Sequence, residues 1–388
     1  MDLTSAIAQV TPQVVAWRRD LHRHPELGGE EHRTADFIAQ RLRELGLEPK
    51  RPTATGVVAD IEGDGPALVA LRADMDGLPL LEASGEPFSS ERPGVMHACG
   101  HDAHVAMLLG AAAVLCPRRR ELGGRVRLIF QPSEERLPGG ALELIEAGVL
   151  QGVDRVFGLH IWSTLDTGVI ALSPGPVMAN ADEFRIRVVG RGTHGAEPHR
   201  GVDAAVAACA IVVNLQAVVS RRLDPMETGV VTVGTVAAGT AFNIVAERAE
   251  LTGTLRSFTP EVRKLLAREV DSCARHTAEA FGATCEFEYR PGYPAVVNHA
   301  AEARAVAQAC RDFPERPRVE EQRPMMGGED FAYYLEAVPG AFAFLGARPD
   351  DGATVAHHSP HTRFNERAFP LGVRLLASAA TTLLGMGP

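Results

Sequence analysis

The sequence predicts an α/β protein, with a mixed, largely parallel sheet flanked by helices and interrupted by an inserted two-layer α+β unit. Two observations predict it. Helix-like and strand-like segments alternate through the first 180 residues, the pattern of parallel βαβ units. The breaker cluster Pro174-Gly175-Pro176 then introduces a different order, β-α-β-β-α-β, and the first rhythm returns from Asn298. The expected domains are therefore 1–180 plus 294–388, and an insert at 181–293.

In the first part, Phe37, Ile38, Arg41, Leu42 and Leu45 recur at helical spacing between Arg33 and Leu45, with Gly46 as the stop. Ala67 to Asp74 is a short apolar run ending in charge, and Arg125 to Gln131 and Arg155 to His160 read as strands. His104 to Cys116 is apolar almost throughout and too long for a strand, so it reads as a buried helix with Asp102 as its N-cap. Gly139 to Ala147 reads as a further helix ended by Gly148.

In the insert, Phe184, Ile186 and Val188 alternate with polar residues, as on a half-buried strand. An Ala/Val-rich helix from Val202 to Arg221 follows, then strands at Val230 to Val236 and Ala249 to Arg256. A polar helix, Pro260 to Phe281, and a strand, Thr284 to Tyr289, complete the unit. Pro291 to Pro294 marks the exit.

Composition excludes several functions. The formal net charge is -10, which argues against a nucleic-acid binder, since that affinity rests on excess basic charge. No run of about 18 apolar residues suggests a membrane span, and Met1 to Ser5 lacks the basic and apolar regions of a signal peptide. Six cysteines are too sparse for a disulfide scaffold. The expected compartment is the cytoplasm.

Three predicted strands end in residues that bind or orient metals: one in Asp74, one in Ser133-Glu134-Glu135, one in His160. Ligands in open α/β sheets bind beyond the carboxyl ends of strands, so neighbouring parallel strands would bring these groups to one rim. Between two of them lies Met96-His97-Ala98-Cys99-Gly100-His101-Asp102-Ala103-His104, where a Cys-x-His pair on a Gly turn can place a thiolate and an imidazole on one ion. Such donors suit Zn, Mn, Co or Ni better than Mg or Ca. In Glu134-Glu135, adjacent side chains point different ways, so one carboxylate can ligate while the other shuttles protons. His357-His358-Ser359-Pro360-His361 adds three histidines near a further strand, Ala341 to Leu345. Gly190 to Gly195 fits neither a P-loop nor a dinucleotide fingerprint.

Taken together, these motifs resemble the M20 metallopeptidase family, within it the amidohydrolase branch of hippurate hydrolase, N-acyl-amino-acid amidohydrolase and auxin-conjugate hydrolase. The resemblance runs in order through Arg18 to His22 with Pro25-Glu26-Leu27, Arg72 to Pro79, Met96 to His104, Gln131 to Glu135, His160, Gly192 to Pro198, Met326 to Phe331 and His358-Ser359-Pro360. It implies a zinc-peptidase-like catalytic domain with an inserted lid and dimerisation domain. It also implies two divalent transition-metal ions (Mn, Zn, Co or Ni) held by Cys99, His101, Glu135, His160 and His358. By the same resemblance Glu134 is the general base, Asp74 a carboxylate that holds a ligand imidazole in the right tautomer, and His194 the lid residue that steadies the oxyanion. Asn243 and Arg256 grip the substrate carboxylate. Asn243 is followed by Ile244-Val245-Ala246-Glu247 where the family usually has a Pro, and the Ser-Pro after His358 selects it over His357 and His361.

The implied activity is hydrolysis of the amide bond of N-acyl amino acids by a homodimer or dimer-based oligomer, with small-molecule substrates and neither nucleic acid nor membrane as partner. A metal-free hydrolase with Cys99 as nucleophile is the alternative, and a non-enzymatic small-molecule binding protein on the same fold a more distant one.

Overall fold

The computed structural model describes residues 2–352 and 354–387. The chain divides into two compact units, one of Met1–Val177, Val297–Arg323 and Asp330–Pro388, the other of Met178–Val296 with Pro324–Glu329. Pro324–Glu329 thus belongs with the insert and not, as the sequence predicts, with the interrupted domain; a six-residue excursion carries too little periodicity to be seen in sequence.

The first unit is built on a seven-stranded sheet. Its spatial order is Val57–Ile61, Gly124–Gln131, Ala67–Asp74, Arg155–Trp162, Gly340–Gly346, Val169–Ala171, Arg318–Glu320. The four central strands, Gly124–Gln131 to Gly340–Gly346, run parallel, while Val57–Ile61 is antiparallel at one side and Val169–Ala171 is antiparallel to Gly340–Gly346. This is the mixed, largely parallel sheet that the sequence predicts. Ala67–Asp74 and Gly340–Gly346 are buried at every position, which is why they read as continuous apolar runs and not as alternating patterns.

The helix His101–Leu115 is buried at every residue except Ala113, so it is apolar all round. It packs against two helices at the chain ends, Leu3–Arg23 and Phe369–Leu384. Gly110 permits that approach: a Cβ there would stand 2.7 Å from Val14 Cγ2 and 2.8 Å from Val373 Cγ2. The helix Leu3–Arg23, which the sequence analysis does not predict, contains Pro12; its start is fixed by Asp2, which accepts from the Ser5 N–H at 2.9 Å.

Asp102 is not the N-cap expected of it. The cap is Gly100, and Asp102 lies in the first turn, buried against Arg18 Nε at 2.8 Å and His22 Nδ1 at 2.7 Å. Gly100 has φ 97°, and a Cβ on it would meet Ile161 Cγ2 at 2.5 Å and Phe364 Cζ at 2.9 Å. The turn therefore needs glycine twice, for the left-handed backbone and for the space.

The second unit has a four-stranded antiparallel sheet in the order Thr284–Tyr293, Ala181–Val189, Arg248–Ser257, Gly229–Ala238. Phe184, Ile186 and Val188 face a core shared with two helices, Ala204–Ala217 and Pro260–Ala280. Ala204–Arg222 is long and apolar enough, by length and composition, to cross a membrane, although Asn214 and Gln216 interrupt its apolar run. One face of it, Ala204, Ala207, Ala208, Ile211 and Leu215, is buried in that core. Buried Asp182 accepts from Arg263 Nε at 2.8 Å, Tyr289 Oη at 2.7 Å and the Gly292 N–H at 2.9 Å, tying both outer elements to the first strand.

Gly100→Ala is expected to lower stability by about 1–3 kcal/mol, read from a urea midpoint. Gly85→Ala, at a φ of 76° with no atom within 4 Å, should cost less; equal losses would mean that the crowding at Gly100 is not felt.

Candidate metal centre

The parallel register sets the site. Asp74 stands opposite Gln131, Arg72 opposite Gly158 and His160 opposite Phe344, so three strands release their chemistry-bearing ends on one rim. The turn at Gly100 delivers Cys99 and His101 to the same place.

Cys99 Sγ lies 3.3 Å from His160 Nε2 and 3.7 Å from His357 Nδ1. His358 Nε2 is 3.0 Å from Glu135 Oε1. His101 Nε2 is 3.7 Å from Asp74 Oδ2, 3.9 Å from Glu134 Oε2 and 4.0 Å from Glu135 Oε1. The donors fall into overlapping sets, Cys99/His160/His357, Cys99/Glu135/His358 and His101/Glu134/Glu135, each with its donor atoms within 4.8 Å of one another. All five residues expected as ligands are thus brought together, with Cys99 and Glu135 each shared between two sets.

These residues fit a metal. His101 Nε2 is buried and has no hydrogen-bond partner among the described residues, a costly arrangement unless something else meets it there. Two donors held at about 2.0–2.3 Å from one ion lie roughly 3.3–3.8 Å apart in a tetrahedral arrangement, close to the separations around His101 and Cys99. Thiolate and imidazole together favour a transition metal over Mg or Ca.

Hydrogen bonds to the far side of each ring set its tautomer. The Asp76 carboxylate accepts from His101 Nδ1 at 3.2 Å, so Nε2 is the atom that faces the cluster. His160 Nδ1 donates to the Ile161 carbonyl at 2.6 Å, so its Nε2 lone pair faces Cys99. His104 sits within ligand distance of Asp74 and His101, yet both its nitrogens are taken: Nε2 accepts from the Ile161 N–H at 2.8 Å and Nδ1 donates to Asp74 at 2.5 Å. His104 is therefore no ligand.

Asp76 does more than orient His101. Its Oδ1 accepts from the Glu134 N–H at 3.1 Å and its Oδ2 from the Glu135 N–H at 3.0 Å. One carboxylate thus fixes a histidine and the backbone that carries both glutamates. The sequence reading gave the orienting role to Asp74; the oxygen on His101 Nδ1 belongs to Asp76, and the imidazole hydrogen-bonded to Asp74 is that of His104. Asp74 is buried, with Arg72 Nη1 2.7 Å away, and Arg72 also donates to Gln131 at 2.8 Å and Asp330 at 2.8 Å.

Electrostatics separates a metal site from a thiol nucleophile. Burial, reinforced by Glu135 and Glu134, pushes the Cys99 thiol well above its usual value. A nucleophilic cysteine requires the opposite shift; a bound cation would supply it. Burial opposes a charge on His101, but Asp74, Asp76 and Glu135 outweigh it and raise the ring to about 10. Burial drives His160 well down and His357 to about 3, keeping both rings neutral.

The other expected site residues lie in the second unit. His194 is exposed on the strand Thr193–His194, paired with Ile244–Val245; its Nδ1 accepts from the Ala196 N–H at 3.0 Å, which leaves the proton on Nε2. Asn243 is exposed, and its carbonyl accepts from the Gly195 N–H at 2.8 Å. Arg256 is on the strand Arg248–Ser257, where partial burial lowers its pKa. Its guanidinium lies beside Gly328: a Cβ there would be 3.2 Å from Nη1. His361 is outside the cluster, its Nδ1 donating to the Ala83 carbonyl at 2.7 Å. Sequence reasoning missed the part played by Asp76, although the Asp-Met-Asp spacing placed a second carboxylate two residues past Asp74.

A buried set of thiolate, imidazole and carboxylate donors on the rim of a parallel sheet defines the class, a metal-binding hydrolase. Residues 70–382 match the model of peptidase family M20/M25/M40. The chain is 44% identical over 300 residues to an N-acyl-L-amino acid amidohydrolase of Geobacillus stearothermophilus, covering 77% of this chain and 81% of that one. It is 40% identical over 384 residues to an N-acetyl-L-cysteine deacetylase of Bacillus subtilis, covering 97% and 90%. The solved structure of the Bacillus subtilis YXEP protein, a dinuclear metal-binding peptidase from the M20 family, superposes with a TM-score of 0.86 at 35% identity over 97% of this chain and 99% of that one. The chain belongs to peptidase family M20/M25/M40 and is an amidohydrolase.

Asp76→Asn replaces an acceptor of three hydrogen bonds with a group that must turn an NH₂ toward one of its donors. Affinity for the first-row divalent metals should fall about 10–100-fold, measured by chelator competition; unchanged affinity would mean that Asp76 does not position the ligands.

Proposed function

We propose that this amidohydrolase cleaves the amide bond of N-acyl amino acids with two divalent transition-metal ions, releasing a carboxylic acid and a free amino acid. The observation that carries this reading is the convergence of Cys99, His101, Glu135, His160 and His358 beside a further carboxylate, Glu134, 3.9 Å from His101 Nε2 and only 6% exposed. Those five residues would hold the ions, which when bound supply Lewis-acid polarisation of the carbonyl and a lower pKa for water.

The chain's own residues do the rest. Glu134 takes the proton from the attacking water and passes it to the leaving nitrogen. Its backbone N–H is pinned by Asp76, so the carboxylate is placed before substrate arrives. His194, with its proton on Nε2, donates to the oxyanion; loss of such a donor costs on the order of 10²–10³ in rate. Arg256 binds the free carboxylate of the amino-acid half through its planar fork, with Asn243 beside it in the same role. The half-buried Arg256 makes no ion pair among the described residues, which supports a role in receiving an anion from outside.

The second unit would serve as lid and dimer face. Val206 and Val213 on the helix Ala204–Ala217, and Val236 on the edge strand Gly229–Ala238, are 50%, 69% and 49% exposed, an apolar surface suited to a second copy. The need for Cys99 as a thiolate, with five other free thiols, supports a reducing compartment such as the cytoplasm.

The test is hydrolysis of acetyl-, benzoyl- and indole-acetyl-amino acids by metal-stripped protein reloaded separately with Mn, Zn, Co and Ni. Activity should vanish on stripping and return on loading, and Glu134→Gln should retain its metals while kcat falls by about 10²–10⁴. Turnover that survives complete chelation, or near-normal turnover in Glu134→Gln, would contradict the reading.

A further inference from the structure

Four imidazoles surround the shared sulfur and carboxylates, and three turn Nε2 toward them: His101 with its Nδ1 on Asp76, His160 with its Nδ1 on the Ile161 carbonyl, and His358 toward Glu135. His357 is oriented the other way. The Ser163 backbone N–H, which can only donate, points at His357 Nε2 from 3.1 Å. An imidazole that accepts at Nε2 carries its proton on Nδ1, and it is Nδ1 that faces Cys99 Sγ at 3.7 Å. The ring is held in this pose by stacking on Trp162, with centroids 4.3 Å apart at 28°, and by the edge of Phe364 at 5.3 Å. The loop is tied down on both sides: Ser163 Oγ donates to the Val355 carbonyl at 2.7 Å, and the His358 N–H to the Ala98 carbonyl at 3.0 Å.

We propose that His357 is not a metal ligand, although it lies within ligand distance of Cys99 and His160, but a hydrogen-bond donor that tunes the Cys99 thiolate. It is a positioning residue acting through sulfur, and the inference rests on the metal centre proposed above. Cys99 belongs to two of the donor sets, so its sulfur is asked to serve both. An N–H aimed at it withdraws electron density from a sulfur that shares its surroundings with the Glu135 carboxylate. Adjacent histidines thus do different work: His358 meets Glu135 as a ligand, His357 meets Cys99 as a donor.

Cobalt-loaded protein tests this without reference to turnover. In His357→Phe the thiolate-to-cobalt charge-transfer band should move to longer wavelength, with the d–d bands and the cobalt stoichiometry unchanged. His357→Asn, which can place an N–H where Nδ1 stood, should return the band toward its wild-type position. Loss of cobalt together with altered d–d bands in both variants would make His357 a ligand and overturn the proposal. An unchanged band in His357→Phe would overturn it while leaving the metal centre standing, and absence of any sulfur-to-cobalt band in the wild type would remove both. Should His357→Phe not fold, ¹⁵N-histidine spectra of the zinc-loaded wild type, with the His357 signals identified by their loss in His357→Asn, decide the matter. A protonated Nδ1 and bare Nε2 are expected, and the opposite tautomer overturns the proposal.

Discussion

The site depends on one buried carboxylate that serves three donors. Asp76 accepts from His101 Nδ1 and from the backbone N–H groups of Glu134 and Glu135. These groups come from a helix start and from a loop beyond a neighbouring strand, and nothing in their chain order would hold them in register. With Asp76 in place, the His101 ring and the backbone that carries both glutamates are set before any ion or substrate arrives, and a metal has only to replace the proton that the acids hold on that ring. Preorganisation of this kind is where a hydrolase of this design gains most, since groups fixed in advance need not reorganise during reaction.

The same arrangement explains why the cluster calls for cations. Asp74, Asp76, Glu134 and Glu135 converge around one buried imidazole and one buried thiol. Against these charges the protein sets a proton on His101, whose pKa the acids raise to about 10, His358 beside Glu135, the His104 N–H on Asp74 and the Arg72 guanidinium on Asp74. Burial, reinforced by Glu135 and Glu134, holds the Cys99 thiol well above its usual value, the opposite of what a thiol nucleophile requires. Dicationic metals satisfy both demands at once: they neutralise the carboxylates and convert the thiol to a thiolate ligand.

Much of this was legible in the sequence. The alternation of strands and helices announced the parallel sheet, and strand ends at Asp74, Gln131 and His160 announced the rim, because buried parallel strands are continuous apolar runs whose chemistry begins where the run stops. Cys99, His101, Glu134 and Glu135 were visible as an unusual density of donors. What was not legible depends on partners remote in sequence. Asp76 and Asp74 are two residues apart and chemically identical; only the fold shows that one faces His101 Nδ1 and the other His104. Ring tautomers at His160, His104 and His357 are set by backbone groups of Ile161 and Ser163, which have no residue-type signature. Asp102 has the residue type of an N-cap, yet it lies in the first turn, where Arg18 and His22 claim it, and the left-handed Gly100 caps the helix.

The central claim is that these scattered donors meet on a pair of ions. Anomalous diffraction from crystals of the manganese- or zinc-loaded protein, recorded on both sides of the metal absorption edge, tests it most directly. Two peaks are expected, both within bonding distance of the cluster formed by Cys99, His101, Glu135, His160 and His358. A single peak elsewhere, or none near Cys99 in crystals whose metal content has been verified, would contradict the account.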